Sequence, residues 1–207
     1  DIAKFSYNDL NNGILGTYLE PLTNEQAMLK QIIDYFPSDE AYLFTQTRAT
    51  KEQLQGLDTE EIRYIHLATY SLINSQFPAL SGIALSPNEQ NNESDFMPLY
   101  EILNLQFQAS DCITIAAGNS NIDKQYGANG IISFMQGLMY TGTPSVVLPM
   151  WNNKLQHETE FWTKYYRSIT NDVGKYDALR KTQIDLINEG VYANPKFWAS
   201  CVMYGEK

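Results

Sequence analysis

The thiols and imidazoles in this sequence of 207 residues are four: Cys112, Cys201, His66 and His157. A thiolate that attacks a carbonyl, with an imidazole to manage the proton, makes a cysteine hydrolase. Their spacing does not favour that chemistry here. Cys112 opens the stretch "CITIAAGNSN", whose apolar run stops at Gly118. In an open α/β sheet, ligands and reacting groups gather where such strands end. Six residues of strand at about 3.3 Å each put Cys112 roughly 20 Å from that end. Cys201 falls inside the last apolar stretch, where a thiol serves as a buried filler. His66 stands four residues before Tyr70 on one strand, about 13 Å away, and packs in the core. His157 begins a helix and is expected to be exposed. Ser120 is near the strand end but has no evident base, so a serine-centred hydrolase is a secondary reading.

Neither cofactor nor metal is expected. The two cysteines form no ligand or disulfide pattern. The loop "GNSNIDKQYGANG" matches neither G-x-G-x-x-G nor G-x-x-x-x-G-K-[ST]. It reads as a turn and a helix start, with Asn119, Ser120 and Asn121 satisfying turn backbone groups. A small-molecule or nucleotide binder at this sheet edge is the weakest alternative.

Composition bounds the remaining classes. Apolar residues make up 43% and aromatic residues 13%, as in a globular protein. The net charge of −10 and the lack of a basic run argue against nucleic acid. No window approaches the roughly 18 continuous apolar residues of a membrane span. The start, "DIAKFSYNDL", lacks the basic-then-apolar pattern of a signal peptide. A first residue of Asp suggests a piece of a longer chain. Cysteine usage fits a reducing compartment, the cytoplasm. The sequon Asn92-Glu93-Ser94 is a short motif of a kind that arises by chance.

The elements that must position these residues alternate. Thr23 with Gln26 has capping-box spacing before a helical stripe of Met28, Leu29, Ile32, Ile33 and Phe36. "EAYLFTQ" reads as a strand. Thr50 with Gln53 caps a short helix. "RYIHLATY" (63–70), "LSGIALSP" (80–87), "CITIAAG" and "SVVLPMW" read as buried strands, with Pro149 marking the end of the last. The residues between Pro87 and Pro98 read as a polar loop, followed by a short helix "PLYEILNL". "GANGIISFMQGLMYTG", "LQHETEFWTKYYRSI" and "KYDALRKTQIDLINEG" read as helices. On the second, Phe161, Tyr165 and Ile169 share a face flanked by Trp162 and Tyr166, which suits a core more than a partner surface. "FWASCVMYG" closes the chain as a strand. Alternation of this kind predicts a mostly parallel sheet with helices on both faces, in one domain spanning 1–207.

The phrases "YIHLATY", "ALSGIALSP", "LYEILNLQFQASDCITIAAG", "GANGIISFMQGLMYTGTPSVVLPMW" and "FWASCVMYGE" stand in the order and spacing of a CHAT domain, which the chain resembles from about Ile62 to Gly205. CHAT domains are caspase-like cysteine peptidase domains of clan CD. The resemblance implies a three-layer α/β/α sandwich with a mostly parallel central sheet, in which the strands at 63–69, 81–86, 112–117 and 145–149 are parallel neighbours, and a His-Cys dyad. The family's His, followed by Gly, ends the phrase written here "HLATY", where this chain has Tyr70 and Ser71. The family's Cys ends the phrase written here "ITIAAG", where this chain has Gly118. Glycine offers no nucleophile, and a tyrosine with a pKa near 10 is a poor proton shuttle.

The expectation is a pseudopeptidase that binds or scaffolds, through a vestigial groove of Tyr70, Ser71, Gly118, Asn119, Ser120 and Asn121. The partner is a protein or peptide, with a basic segment favoured by the net charge. The resemblance also implies a helical-repeat region in the same parent chain. An active cysteine or serine hydrolase with another nucleophile is the alternative.

Overall fold

The computed structural model describes residues 25–86, 96–116, 119–122, 128–151 and 155–207. Two sheets organise these residues. The central one contains β1 (Tyr64–Leu67), β5 (Cys112–Ile115), β7 (Ser145–Pro149) and β8 (Cys201–Gly205) in the order β1-β5-β7-β8. β1, β5 and β7 are parallel, and β8 closes the edge antiparallel to β7. The second sheet contains β2 (Ser71–Ile73), β3 (Gly82–Ala84), β4 (Phe96–Pro98) and β6 (Asn119–Ile122) in the order β4-β3-β2-β6.

Side-chain alternation splits the core between the two faces of the central sheet. Ile65, Ile113, Ile115, Val146 and Leu148 pack with Ile131, Phe134, Met135 and Leu138 of helix α4 (Ala128–Tyr140). Cys112, Ala116, Val147 and Cys201 face the other way. They meet Phe161, Trp162, Tyr165 and Tyr166 of α5 (Leu155–Ile169), Ala178, Leu179 and Leu186 of α6 (Lys175–Asn188), and Met28 and Ile32 of α1 (Glu25–Ile33). This is the caspase-like α/β/α layering, with a mostly parallel central sheet. The shorter helices are α2 (Lys51–Gln55), α3 (Leu99–Ile102) and α7 (Pro195–Trp198). Thr50 caps α2 by accepting from the Gln53 N–H at 3.3 Å, as the spacing predicts. The aromatic stripe of α5 is core: Trp162 and Tyr165 are fully buried.

Several expectations are corrected. The stretch at 80–87 does not join the central parallel sheet. Its β3 lies antiparallel to β2 and β4 in the second sheet, because the chain turns back after Ile73 through Asn74, whose side chain accepts from the N–H groups of Gln76 and Phe77. "RYIHLATY" is not one strand: β1 ends at Leu67, and Ser71 begins another in a different sheet. "EAYLFTQ" forms no strand, and Gln46–Arg48 is a turn of 3-10 helix. Asn119–Ile122 is a strand, not a turn, because β2 offers it a parallel partner. Phe197 and Trp198 of "FWASCVMYG" belong to α7, so β8 starts only at Cys201. Residues 88–95 of the polar loop and the cap at Thr23 lie outside the described residues, but Phe96 and Met97, read as the end of that loop, are strand β4, because β3 offers them an antiparallel partner.

Gly82 shows how closely the second sheet is assembled. A Cβ there would collide with the Met97 carbonyl oxygen, the Phe96 ring and the Pro98 backbone. Gly82→Ala is expected to cost about 1–3 kcal/mol, the range for overpacking a close-packed site. Urea unfolding of the two proteins measures this, and an unchanged midpoint would contradict the β3–β4 pairing.

Candidate functional site

The candidate site lies where the chain steps twice from the central sheet into the second. β1 pairs with β5 from Tyr64/Cys112 to Leu67/Ile115, an offset of 48 residues (112 − 64). After the step, Ser71 pairs with Asn119, again an offset of 48 (119 − 71). The two crossings are therefore matched in length, and Tyr70 and Gly118 share the same offset in the sequence. The register then shifts. Leu72 pairs with Asn121, so Ser120 is the extra residue of an irregularity in the ladder. Bulges of this kind re-aim the chain and recur beside functional sites.

Named contacts hold the first crossing. The Ala116 N–H donates to the Leu67 carbonyl at 3.0 Å, and the Ala84 N–H donates to the Tyr70 carbonyl at 2.9 Å. The Thr69 hydroxyl donates to the Ala84 carbonyl. Tyr70 is half-buried and packs against Leu72, Ala84 and Phe96 of the second sheet. Ser71 is only 2% exposed. Of the six residues named from sequence, the β2–β6 pairing brings together Ser71 with Asn119, beside Ser120 and Asn121. Tyr70 directly precedes this pair. Gly118 lies outside the described residues.

The remaining reactive side chains are placed away from these strand ends or neutralised. Cys112 begins β5, at the opposite end of the strand from Ile115. It is fully buried, and burial pushes its thiol upward. Cys201 begins β8, and burial raises its thiol as well. His157 is not exposed as expected. It is half-buried, 3.9 Å centroid to centroid from the Phe197 ring, with Tyr192 edge-on at 5.2 Å. The apolar side of α7 covers the helix start and takes the imidazole in.

His66 has partners that no sequence pattern indicated. Its Nδ1 lies 2.7 Å from the Thr114 hydroxyl and 3.1 Å from the Tyr166 hydroxyl. Tyr166 and Thr114 are themselves 2.6 Å apart, and Thr114 donates to the Ile65 carbonyl. The rings of Trp162 and Tyr166 stand edge-on to the imidazole, each at 5.2 Å. Burial lowers the His66 pKa to about 3, so the ring is neutral at pH 7.

That burial has a signed consequence. An unfolded His66 takes a proton near pH 6.5, whereas the folded one refuses it until about pH 3. Its contribution to stability is fully present above pH 6.5 and is lost as the pH falls from there towards 3, by about 1.4 kcal/mol per unit. Between pH 6.5 and 5 the native protein should lose about 2 kcal/mol more than His66→Gln, which has no such proton to take up. Chemical denaturation at the two pH values tests this, and parallel losses in the two proteins would refute the neutral burial.

Comparison with known proteins adds the family. No curated protein matches the chain. The model of the family described as "CHAT domain" matches residues 12–206. That match takes in both strand crossings and both layers of helices, and with the caspase-like layering it places the chain in the CHAT domain family.

Proposed function

We propose that this CHAT domain, a caspase-like and peptidase-related unit, has lost catalysis and serves as a protein-binding or scaffolding module. The observation that carries the reading is chemical. At the sequence positions that the resemblance gives to the family's dyad, this chain has Tyr70 and Gly118, neither of which is a nucleophile or a neutral-pH base. The thiols and imidazoles do not take their place. Cys112 and Cys201 are buried with raised pKa values, and the half-buried His66 has its Nδ1 committed to Thr114 and Tyr166. Loss of the nucleophile alone is close to fatal for covalent catalysis.

The crossing keeps what peptide binding needs. In the sequence the crossing is polar, with Asn119, Ser120 and Asn121 following a glycine at the position the resemblance gives to the family's Cys. Tyr70 packs towards Leu72, Ala84 and Phe96, which supports a groove that its ring does not fill. With a net charge of −10, the favoured guest is an extended segment carrying Lys or Arg, attracted more strongly at low salt. A reducing compartment, the cytoplasm, suits two unpaired cysteines, and a helical-repeat region of the same parent chain is a natural source of the guest.

Two measurements test the reading. The purified domain should neither cleave a peptide library nor label with thiol-directed peptide probes. Turnover that disappears on mutating Cys112, Cys201 or Ser120 would establish the hydrolase instead. Basic extended peptides should bind more weakly to Gly118→Trp than to the native domain, by at least tenfold, and should lose affinity between 50 and 300 mM salt, on the order expected for exposed charges. Binding indifferent to both changes would remove the groove from the interface.

A further inference from the structure

The solvent-facing sides of α5 and α6 are built differently. α5 packs against both α1 and α6, and the side it leaves to solvent is polar, with Glu160, Thr163, Lys164 and Arg167. α6 buries Ala178, Leu179, Thr182 and Leu186. A helix buried on one stripe ordinarily presents polar residues on the opposite one. On α6, however, Tyr176, Ile184 and Ile187 are 41%, 38% and 39% exposed. Val191, just past the stop at Gly190 (φ 72°), is 78% exposed.

Single exposed apolar side chains need no explanation, but these four are not scattered. Tyr176, Arg180, Ile184 and Ile187 follow one another at intervals of four, four and three residues, which puts them on one side of the helix as a ridge. The ridge runs for about 16 Å, or three turns, and Val191 continues its spacing. Its charges are mainly basic. Arg180 lies within it, the exposed Lys181 and Asp177 flank it, and the Lys207 ammonium stands 5.0 Å from the centre of the Tyr176 ring.

That sign sets this region apart from the rest of the chain. Residues 164–207 contain seven Lys and Arg against five Asp and Glu, a net charge of +2 (7 − 5). Residues 1–163 contain seven against nineteen, a net charge of −12 (7 − 19). A second copy is therefore a poor occupant, since it would bring two basic ridges together between two acidic bodies. A ridge on a helix fits the groove of another helix, and Arg180 and Lys181 fit carboxylates placed beside that helix's apolar stripe.

We propose that the outer face of α6 is a docking surface for an amphipathic helix of a partner protein, one whose apolar stripe is flanked by Asp or Glu. The stripe covers Tyr176, Ile184, Ile187 and Val191, and the carboxylates lie against Arg180 and Lys181. A single helix pair falls at the small end of specific interfaces, so the affinity is on the order of micromolar. The surface owes nothing to the crossing of the two sheets, which favours a guest of the opposite charge.

Two stapled helical peptides are the probes. Both carry Leu at the heptad a and d positions, one with Glu at e and g and the other with Lys there. The Glu peptide should bind the native domain, and the Lys peptide at least tenfold more weakly. Ile184→Glu should weaken the Glu peptide at least tenfold. Arg180→Glu combined with Lys181→Glu should reverse the preference in favour of the Lys peptide, a gain that a damaged fold does not produce. Gly118→Trp should leave the Glu peptide's affinity unchanged. A Glu peptide that does not bind, equal binding of the two peptides, a native preference kept after charge reversal, or a loss on Gly118→Trp would each overturn the proposal. Dimerisation of the domain that Ile184→Glu abolishes would overturn it too, because the occupant would then be a second copy.

Discussion

Strand β5 has no solvent-facing side, and the rest of the molecule is arranged around that fact. Cys112, Ile113, Thr114 and Ile115 are all buried. β1 and β7 satisfy the strand laterally, while the isoleucines enter one core and Cys112 the other. Each fully buried isoleucine contributes about 1.5–3 kcal/mol, so a one-residue slip of β5 would exchange the two cores and forfeit both. The register with β1 is therefore fixed, and with it the point at which both strands leave the sheet.

The same burial explains why a polar cluster is tolerated beside the sheet. Thr114 is the polar residue that β5 turns towards α5, and it is matched by Tyr166 and His66. Hydrogen bonds shared among these three side chains offset part of the cost of burying them. The exposed pair of Arg63 with Asp111, 2.6 Å apart at the amino ends of β1 and β5, adds little by comparison, because solvent screens it.

Much of this was legible in the sequence. The helices α5 and α6 run over the stretches whose apolar stripes announce them, because a three-turn stripe overdetermines its period. The parallel trio β1, β5 and β7 was legible as continuous apolar runs. The second sheet was not, since "SLI" and "GIA" say that they are buried but not beside what. β6 was hidden for the opposite reason: "NSNI" has turn chemistry and becomes a strand only because β2 lies beside it. The partners of His66 are 48 and 100 residues away, beyond any local pattern. At the candidate site the residue types were readable, while the matched crossings that gather them are a property of tertiary pairing.

The equal length of those two crossings limits how such a domain changes over time. Side chains at the junction can be exchanged one at a time, since each occupies its own place on a ladder held elsewhere. Chain length there cannot drift in the same way. A residue gained between Leu67 and Ser71, without another gained between Ile115 and Asn119, would break the offset of 48 that the Ser71–Asn119 pair shares with the central sheet, before the ladder moves to 49 at Leu72 (121 − 72). Descendants of this chain are therefore free to swap chemistries at the junction, but they inherit its spacing as a linked pair.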